Sequence, residues 1–176
     1  MKLFSVIAAM LLPAMGASAQ ISIPLLDKVP GHRVVFDYTY SLSKDGKPLS
    51  EVTSGKMTVE DNAYNLSGLG IEIYSDGQTR WSVDREAEEV LIETVEADDI
   101  IANPALIISS YKELSSSLEV LSQGRDSLKL KVTFDEKTYA VFSLSGVSFS
   151  EATGSKKDFT LDVKSLGKSF VVTDLR

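Results

Sequence analysis

Apolar and polar residues alternate along most of the chain after Arg33. Val34, Phe36 and Tyr38 share one face of the first such segment, and Asp37 and Thr39 face the other way. This period of two is typical of a strand with one buried face. Similar segments recur at short spacing, and we expect about ten strands. The expected segments nearest the end of the chain are 139–144, 147–151, 157–163 and 170–175.

Two glycines punctuate this pattern. Asp76-Gly77 lies between two alternating runs, which predicts a hairpin with a tight two-residue turn, because glycine adopts a positive φ without strain. Gly55 interrupts an expected strand over 49–60, and we expect a β-bulge there.

One helical segment interrupts the strands. Asn103 is a suitable N-cap for a helix that opens with Pro104 and runs to Lys112. Strands with one helical interruption predict a mainly β domain built on a single large antiparallel sheet with a short helix. A sheet of this size must curl, close or split into two layers.

The first 19 residues have the pattern of a signal peptide. Lys2 precedes a short apolar stretch, and Ala17-Ser18-Ala19 is a small-x-small cleavage pattern. Gln20 would then be the first mature residue, so we expect neither a lipid anchor nor a stable membrane anchor. We expect a protein exported to the periplasm, with residues 20–176 forming one domain.

Composition narrows the chemistry. The formal charge of -7 and the lack of a basic stripe argue against binding to nucleic acid. The absence of cysteine excludes a thiolate metal site and a cysteine nucleophile. His32 is the only histidine, and no nucleophile motif such as G-x-S-x-G accompanies it. We therefore expect no catalytic residue, no metal and no cofactor, and a protein that is not an enzyme.

The order of these parts resembles the LolA family of periplasmic lipoprotein carriers. Ser75-Asp76-Gly77, followed by Thr79 and Trp81, is similar to that family's S-D-G-x-T-x-W hairpin, and Asn103-Pro104 is similar to its N-P helix start. The run Gly55-Lys56-Met57 resembles its G-x-hydrophobic strand. One departure is that Asp61 and Asn62 stand where the family usually has an Arg-Pro pair, whose arginine binds the helical lid.

The resemblance implies an unclosed β-barrel whose mouth is covered by a short helical lid. It implies an apolar cavity that binds the acyl chains of lipoproteins on their way to the outer membrane. The partners would be lipoproteins, an inner-membrane release complex and an outer-membrane acceptor, and the carrier is expected to be a monomer. The expected cavity residues are Phe36, Tyr38, Met57, Ile73, Trp81, Leu106, Ile107, Tyr111 and Phe142.

Two alternatives remain open at the level of sequence. The apolar faces could simply fill a core, since protein interiors are normally packed solid. Likewise, the run Leu106-Ile107-Ile108 is apolar all round, so its helix is either buried on every side or lies beside a hollow. A LolA-like envelope sensor or lipid-binding interaction protein is the alternative to a carrier.

Overall fold

The computed structural model describes residues 22–95, 107–108, 111–114 and 116–176. The expected signal peptide therefore lies outside the described residues, as do Asn103, Pro104 and Leu106. Ten strands form the body of the described chain. They are β1 (His32–Ser43), β2 (Ser50–Glu60), β3 (Ala63–Gly68), β4 (Ile71–Ser75), β5 (Thr79–Asp84), β6 (Glu89–Thr94), β7 (Leu118–Gln123), β8 (Leu128–Asp135), β9 (Thr138–Glu151) and β10 (Val171–Asp174).

All ten strands belong to one sheet in the order β10-β6-β5-β4-β3-β2-β1-β9-β8-β7. The two edge strands, β10 and β7, do not pair with each other, so the sheet is not closed into a barrel. The expectation of a mainly β fold with one large sheet is confirmed. The expectation that the sheet is wholly antiparallel is wrong, because β10 runs parallel to β6. The chain makes that parallel pairing possible by passing over the sheet between β9 and β10.

Two of the expected strand boundaries are also wrong. The expected strands 139–144 and 147–151 form one continuous strand, β9. Gly146 lies within this strand and has a positive φ of +62°. The expected strand 157–163 forms two 3-10 turns instead, Lys157–Phe159 and Val163–Ser165. Asp162 caps the second turn by accepting a hydrogen bond from the backbone N–H of Lys164 at 3.0 Å. These local hydrogen bonds replace a sheet ladder.

The two glycines of the sequence pattern have different roles. The register shift between β1 and β2 occurs at Tyr40/Ser41, so the expected bulge at Gly55 is wrong. The predicted hairpin between β4 and β5 forms, and Gly77 has a positive φ of +91°. Its turn is centred on Gly77 and Gln78, because the backbone N–H of Asp76 donates to the carbonyl of Thr79 at 3.3 Å.

The sheet buries apolar residues on both of its faces. We call the face that contains Phe36 and Met57 the front face and the opposite one the back face. The front cluster covers β1, β2, β3, β8 and β9, and the 22–29 segment packs on it through Ile23 and Leu26. The back cluster lies on β5 and β6, and the C-terminal segment 161–170 packs on it. The two ends of the described chain thus cover opposite faces.

The segment expected to form the helix joins the front cluster. Ile107 and Ile108 have helical backbone and are buried, and Tyr111–Leu114 forms turns. Most of the expected helix over 104–112 lies outside the described residues, and the short helical lid stays a prediction.

Candidate functional site

Six of the expected cavity residues lie together in the front cluster. All six are buried, with at most 5% of their surface exposed. Phe142 forms the centre, because its ring lies 6.1 Å from that of Tyr38 and 6.4 Å from that of Tyr40. Ile73 is partly buried at the margin of this cluster. The six are Phe36, Tyr38, Met57, Ile107, Tyr111 and Phe142.

Trp81 does not lie with them. It pairs with Tyr74 across the β4–β5 hairpin, whereas Ile73 pairs with Ser82. Successive residues of a strand point to opposite faces, so Ile73 and Trp81 are on opposite sides of the sheet. Trp81 belongs to the back cluster with Val83 and Ile92. The expectation that Trp81 shares one apolar surface with the other cavity residues is therefore wrong. Leu106 lies outside the described residues.

The front cluster reaches the surface in an apolar groove on β2, β3 and β4. This front groove has a volume of about 230 Å³. Leu66 is its buried floor and Ile73 its partly buried wall, while Val52 and Leu69 form a rim with 47% and 71% of their surface exposed. The lining residues are Val52, Thr53, Leu66, Gly68, Leu69, Ile71 and Ile73.

Close contact of two backbones shapes the groove. A Cβ added to Gly55 would lie 1.8 Å from the carbonyl oxygen of Ser67, and a Cβ added to Gly68 would lie 2.2 Å from that of Ser54. Both positions therefore require glycine. Gly68 also lines the groove, so this close approach of β2 and β3 forms part of its wall.

The rim residue Leu69 has an unusual conformation. Its φ is +51°, and the following Gly70 has a φ of +81°. A bulky side chain at positive φ is uncommon, because its Cβ crowds the following carbonyl. Such strain persists when the surroundings determine it, and it is enriched at functional sites.

Sequence reasoning missed four of the residues that line the front groove, which are Val52, Leu66, Leu69 and Ile71. The available signal was the Leu69-Gly70 pair at a predicted bend.

A polar junction joins the two segments that cover the front cluster. The hydroxyl of Tyr111 donates a hydrogen bond to Asp27 Oδ1, and Lys112 Nζ lies 3.3 Å from the same oxygen. The hydrogen bond from Tyr111, followed by one from Ser22, holds the pKa of Asp27 below its ordinary value. Burial, followed by the bond to Asp27, raises the pKa of Tyr111. The charged carboxylate is therefore the form that holds the segments together.

Asp61 and Asn62, which replace the Arg-Pro pair of the resembled family, lie at another edge of the front cluster. Together with Leu26, Val29 and Ile108 they line a small groove of about 260 Å³. The Asn62 side chain accepts a hydrogen bond from Lys156 at 3.0 Å. These residues contact the C-terminal segment through that lysine.

Within the described residues, no three His, Cys, Asp or Glu side chains are placed to hold a metal ion. Likewise, none of the helices in this part of the chain has the length and apolar character needed to cross a bilayer.

No protein-family profile matches the sequence, and no curated protein matches it either. Solved structures do match. One is the crystal structure of an uncharacterized conserved protein from Thermus thermophilus, with a TM-score of 0.45 and 9% sequence identity over 85% of this chain and 94% of that chain. A similarity at this level does not establish a shared fold or function.

Proposed function

We propose that this protein is an exported carrier that binds an acyl chain of a lipidated protein, with the front groove as its entry. In this proposal the fold is a LolA-like unclosed barrel, and the chain around Ile107 belongs to a short lid over the front cluster. The carrier acts in the periplasm and passes its cargo toward the outer membrane. It performs no catalysis.

The observation that supports this proposal best is an apolar core that reaches the surface at the front groove. Leu66 and Ile73 belong to the packed front cluster and also line the front groove. Exposed leucine and valine at the rim extend that apolar surface outward. Small-molecule sites are mostly apolar concave surfaces of this kind.

The size of the groove limits what it holds. Typical ligand pockets have volumes of roughly 300–1,000 Å³, and the front groove has about 230 Å³. It therefore accepts part of an acyl chain in the described conformation. In this proposal, deeper insertion needs the segments that pack on the front cluster to move away from the sheet.

A displacement assay with a fluorescent fatty acid tests the proposal. Val52→Asp places a charge on the groove rim at a position that is already half-exposed, so the fold should tolerate it. We expect fatty-acid affinity to fall about tenfold or more, since a charge beside a buried chain must be desolvated. Leu121→Asp is the matched control, because Leu121 has a similar exposed fraction of 43% and lies on β7 at the far edge of the sheet. Equal affinity in both variants would contradict the proposal.

Leu69→Asn separates the function of the rim from its stability. Asparagine tolerates positive φ better than leucine, and a leucine there costs on the order of 1 kcal/mol. We expect the free energy of unfolding in urea to rise by about that amount while fatty-acid binding weakens. If Leu69 serves only the fold, Leu69→Asn should lower the free energy of unfolding or leave fatty-acid binding unchanged, and either result would contradict a role of Leu69 in binding.

A further inference from the structure

We infer that the cargo has a positively charged group close to its acyl chain: a lipidated peptide with lysine or arginine in the first few residues after the lipid. This inference rests on the proposed function and names its substrate class. It depends on how the front groove continues across the sheet.

One row of residues crosses five strands on the front face. Gly68 pairs with Ile71, Ile71 with Asp84, and Asp84 with Glu89. Val171 of β10 then pairs with Glu89. Paired residues of neighbouring strands lie on the same face. The row therefore begins in the apolar groove and proceeds directly to two carboxylates.

A second groove lies along this row. It has a volume of about 270 Å³, and its lining includes Ile71, Ser82, Asp84, Glu89 and Val171. Ile71 also lines the front groove. The two grooves are therefore neighbours that share a wall, with an apolar part over β3 and β4 and an acidic part over β5 and β6.

The charges in the acidic part are not balanced within the described chain. Asp84 and Glu89 lie directly opposite each other, and like charges in that position destabilise a sheet. The arginine on β5 and the one that follows β5 have other partners. Arg80 pairs with Glu93 at 2.8 Å, and Arg85 pairs with Glu72 at 2.8 Å. Within the described residues, neither Asp84 nor Glu89 pairs with a lysine or arginine. A cation on the ligand would offset this repulsion.

The spacing sets where that cation lies in the cargo. Neighbouring strands are roughly 4.8 Å apart, so the two carboxylates lie about 5 and 10 Å beyond Ile71 across the sheet. An extended peptide advances about 3.3–3.6 Å per residue. A basic side chain within about three residues of the acylated position therefore reaches Asp84 or Glu89 while the acyl chain lies over Ile71 and Ile73.

Isothermal titration calorimetry with three decanoylated peptides tests the inference. Their sequences after the lipid are Ser-Lys-Lys, Ser-Gln-Gln and Ser-Glu-Glu. We expect the lysine peptide to bind about 3- to 10-fold more tightly than the glutamine peptide, as one or two partly exposed ion pairs would give. The glutamate peptide should bind more weakly. The differences in affinity between the three peptides should shrink as the salt concentration is raised, while the affinity for the glutamine peptide stays constant.

Variants locate the effect. Glu89→Gln and Asp84→Asn remove the charges, and asparagine can still accept the hydrogen bonds that Asp84 receives from the backbone N–H groups of Glu86 and Ala87. The double variant should lose the preference for lysine and keep its affinity for the glutamine peptide. Glu119→Gln, an exposed acid on β7, is the control and should keep the preference.

Each outcome supports or overturns the inference. Equal binding of the three acylated peptides, or a preference that survives in the double variant, would overturn it and leave the proposed carrier function intact. Binding of the peptides without their acyl chains at equal affinity would overturn both. Thermal melts of the variants verify that they fold, and removal of the like-charge pair should not lower their stability.

Discussion

At the scale of single residues, Glu60 shows how a buried charge fastens the C-terminal segment to the back face. Its side chain is 4% exposed, and Arg33 Nε lies 2.7 Å from Glu60 Oε2. Gly154 donates its backbone N–H to Glu60 Oε1 at 2.7 Å. Arg33 also pairs with Asp158 at 2.7 Å and lies over the ring of Phe159. One arginine thus connects β1, β2 and the chain that follows β9.

The pKa of Glu60 leads to a prediction about acid. Burial acts to raise this pKa, but the hydrogen bonds from Arg33, Gly154 and Thr153 outweigh burial and hold it below its ordinary value of 4.5. A carboxylate whose pKa is lower in the folded state stabilises the fold above the unfolded pKa, and this contribution is lost as pH falls through the folded pKa. We expect Glu60→Gln to lower the free energy of unfolding at pH 7.

The pH profile distinguishes this effect from lost packing. Urea denaturation at several pH values should show the difference between the parent protein and Glu60→Gln narrowing as pH falls below about 4.5. Asp158→Asn is a useful comparison, because Asp158 is 58% exposed and its ion pair with Arg33 should contribute little. A difference that is constant with pH would contradict a role for the Glu60 charge.

At the scale of elements, the crossing of β2 and β3 depends on Gly55. Gly55→Ala would place a methyl group 1.8 Å from a backbone oxygen of β3, and neither strand can move without breaking its ladder. We expect a loss of several kcal/mol in the free energy of unfolding, as for other overpacked or strained sites. Gly167→Ala is the control, because the space there is open apart from an ordinary contact with Ser169 Oγ. Equal stability of the Gly55→Ala and Gly167→Ala variants would show that the close approach of β2 and β3 does not require glycine at position 55.

Local pattern predicted the strands that have one buried face. In β8 and along one face of β1 apolar residues occupy every second position, and the structure places those residues in or against the front cluster. The direction of β10 could not be predicted, because a short alternating run is the same in parallel and antiparallel pairs. The 3-10 turns around Phe159 were missed for a related reason. The contact of Phe159 with Arg33, which is 126 residues away, and the Asp162 cap of the second turn decide that conformation.

The candidate site was predicted only in part. The core residues Phe36, Met57 and Phe142 follow from alternation alone. The position of Trp81 could have been derived, because a hairpin with an even number of connecting residues pairs odd-numbered positions with even-numbered ones. Ile73 and Trp81 are both odd-numbered and therefore point to opposite faces. The front groove itself depends on the approach of Gly55 and Gly68, which no local pattern encodes.

At the scale of the whole molecule, one sheet supports two separate clusters with different characters. The back cluster is fastened by the C-terminal segment, by ion pairs through Arg33, and by β10. The front cluster is covered by two segments joined at the Asp27–Tyr111 junction, and it opens at the front groove. For the proposed carrier, this asymmetry leads us to expect that the front face changes when an acyl chain binds and that the back face stays fixed.

The heat capacity of binding tests that picture. Burial of a methylene contributes roughly 0.8 kcal/mol, so complete burial of an acyl chain of about 16 carbons would give on the order of 12 kcal/mol. A carrier that retained all of this could not release its cargo. The limited groove and the need to displace the covering segments should offset part of this free energy.

For a lipidated peptide without charged residues, we expect an affinity below that limit, little dependence on salt and a negative heat-capacity change. Calorimetry at several temperatures, with the unlipidated peptide as control, measures all three. Equal affinity for the two peptides would show that the peptide is recognised in place of the acyl chain.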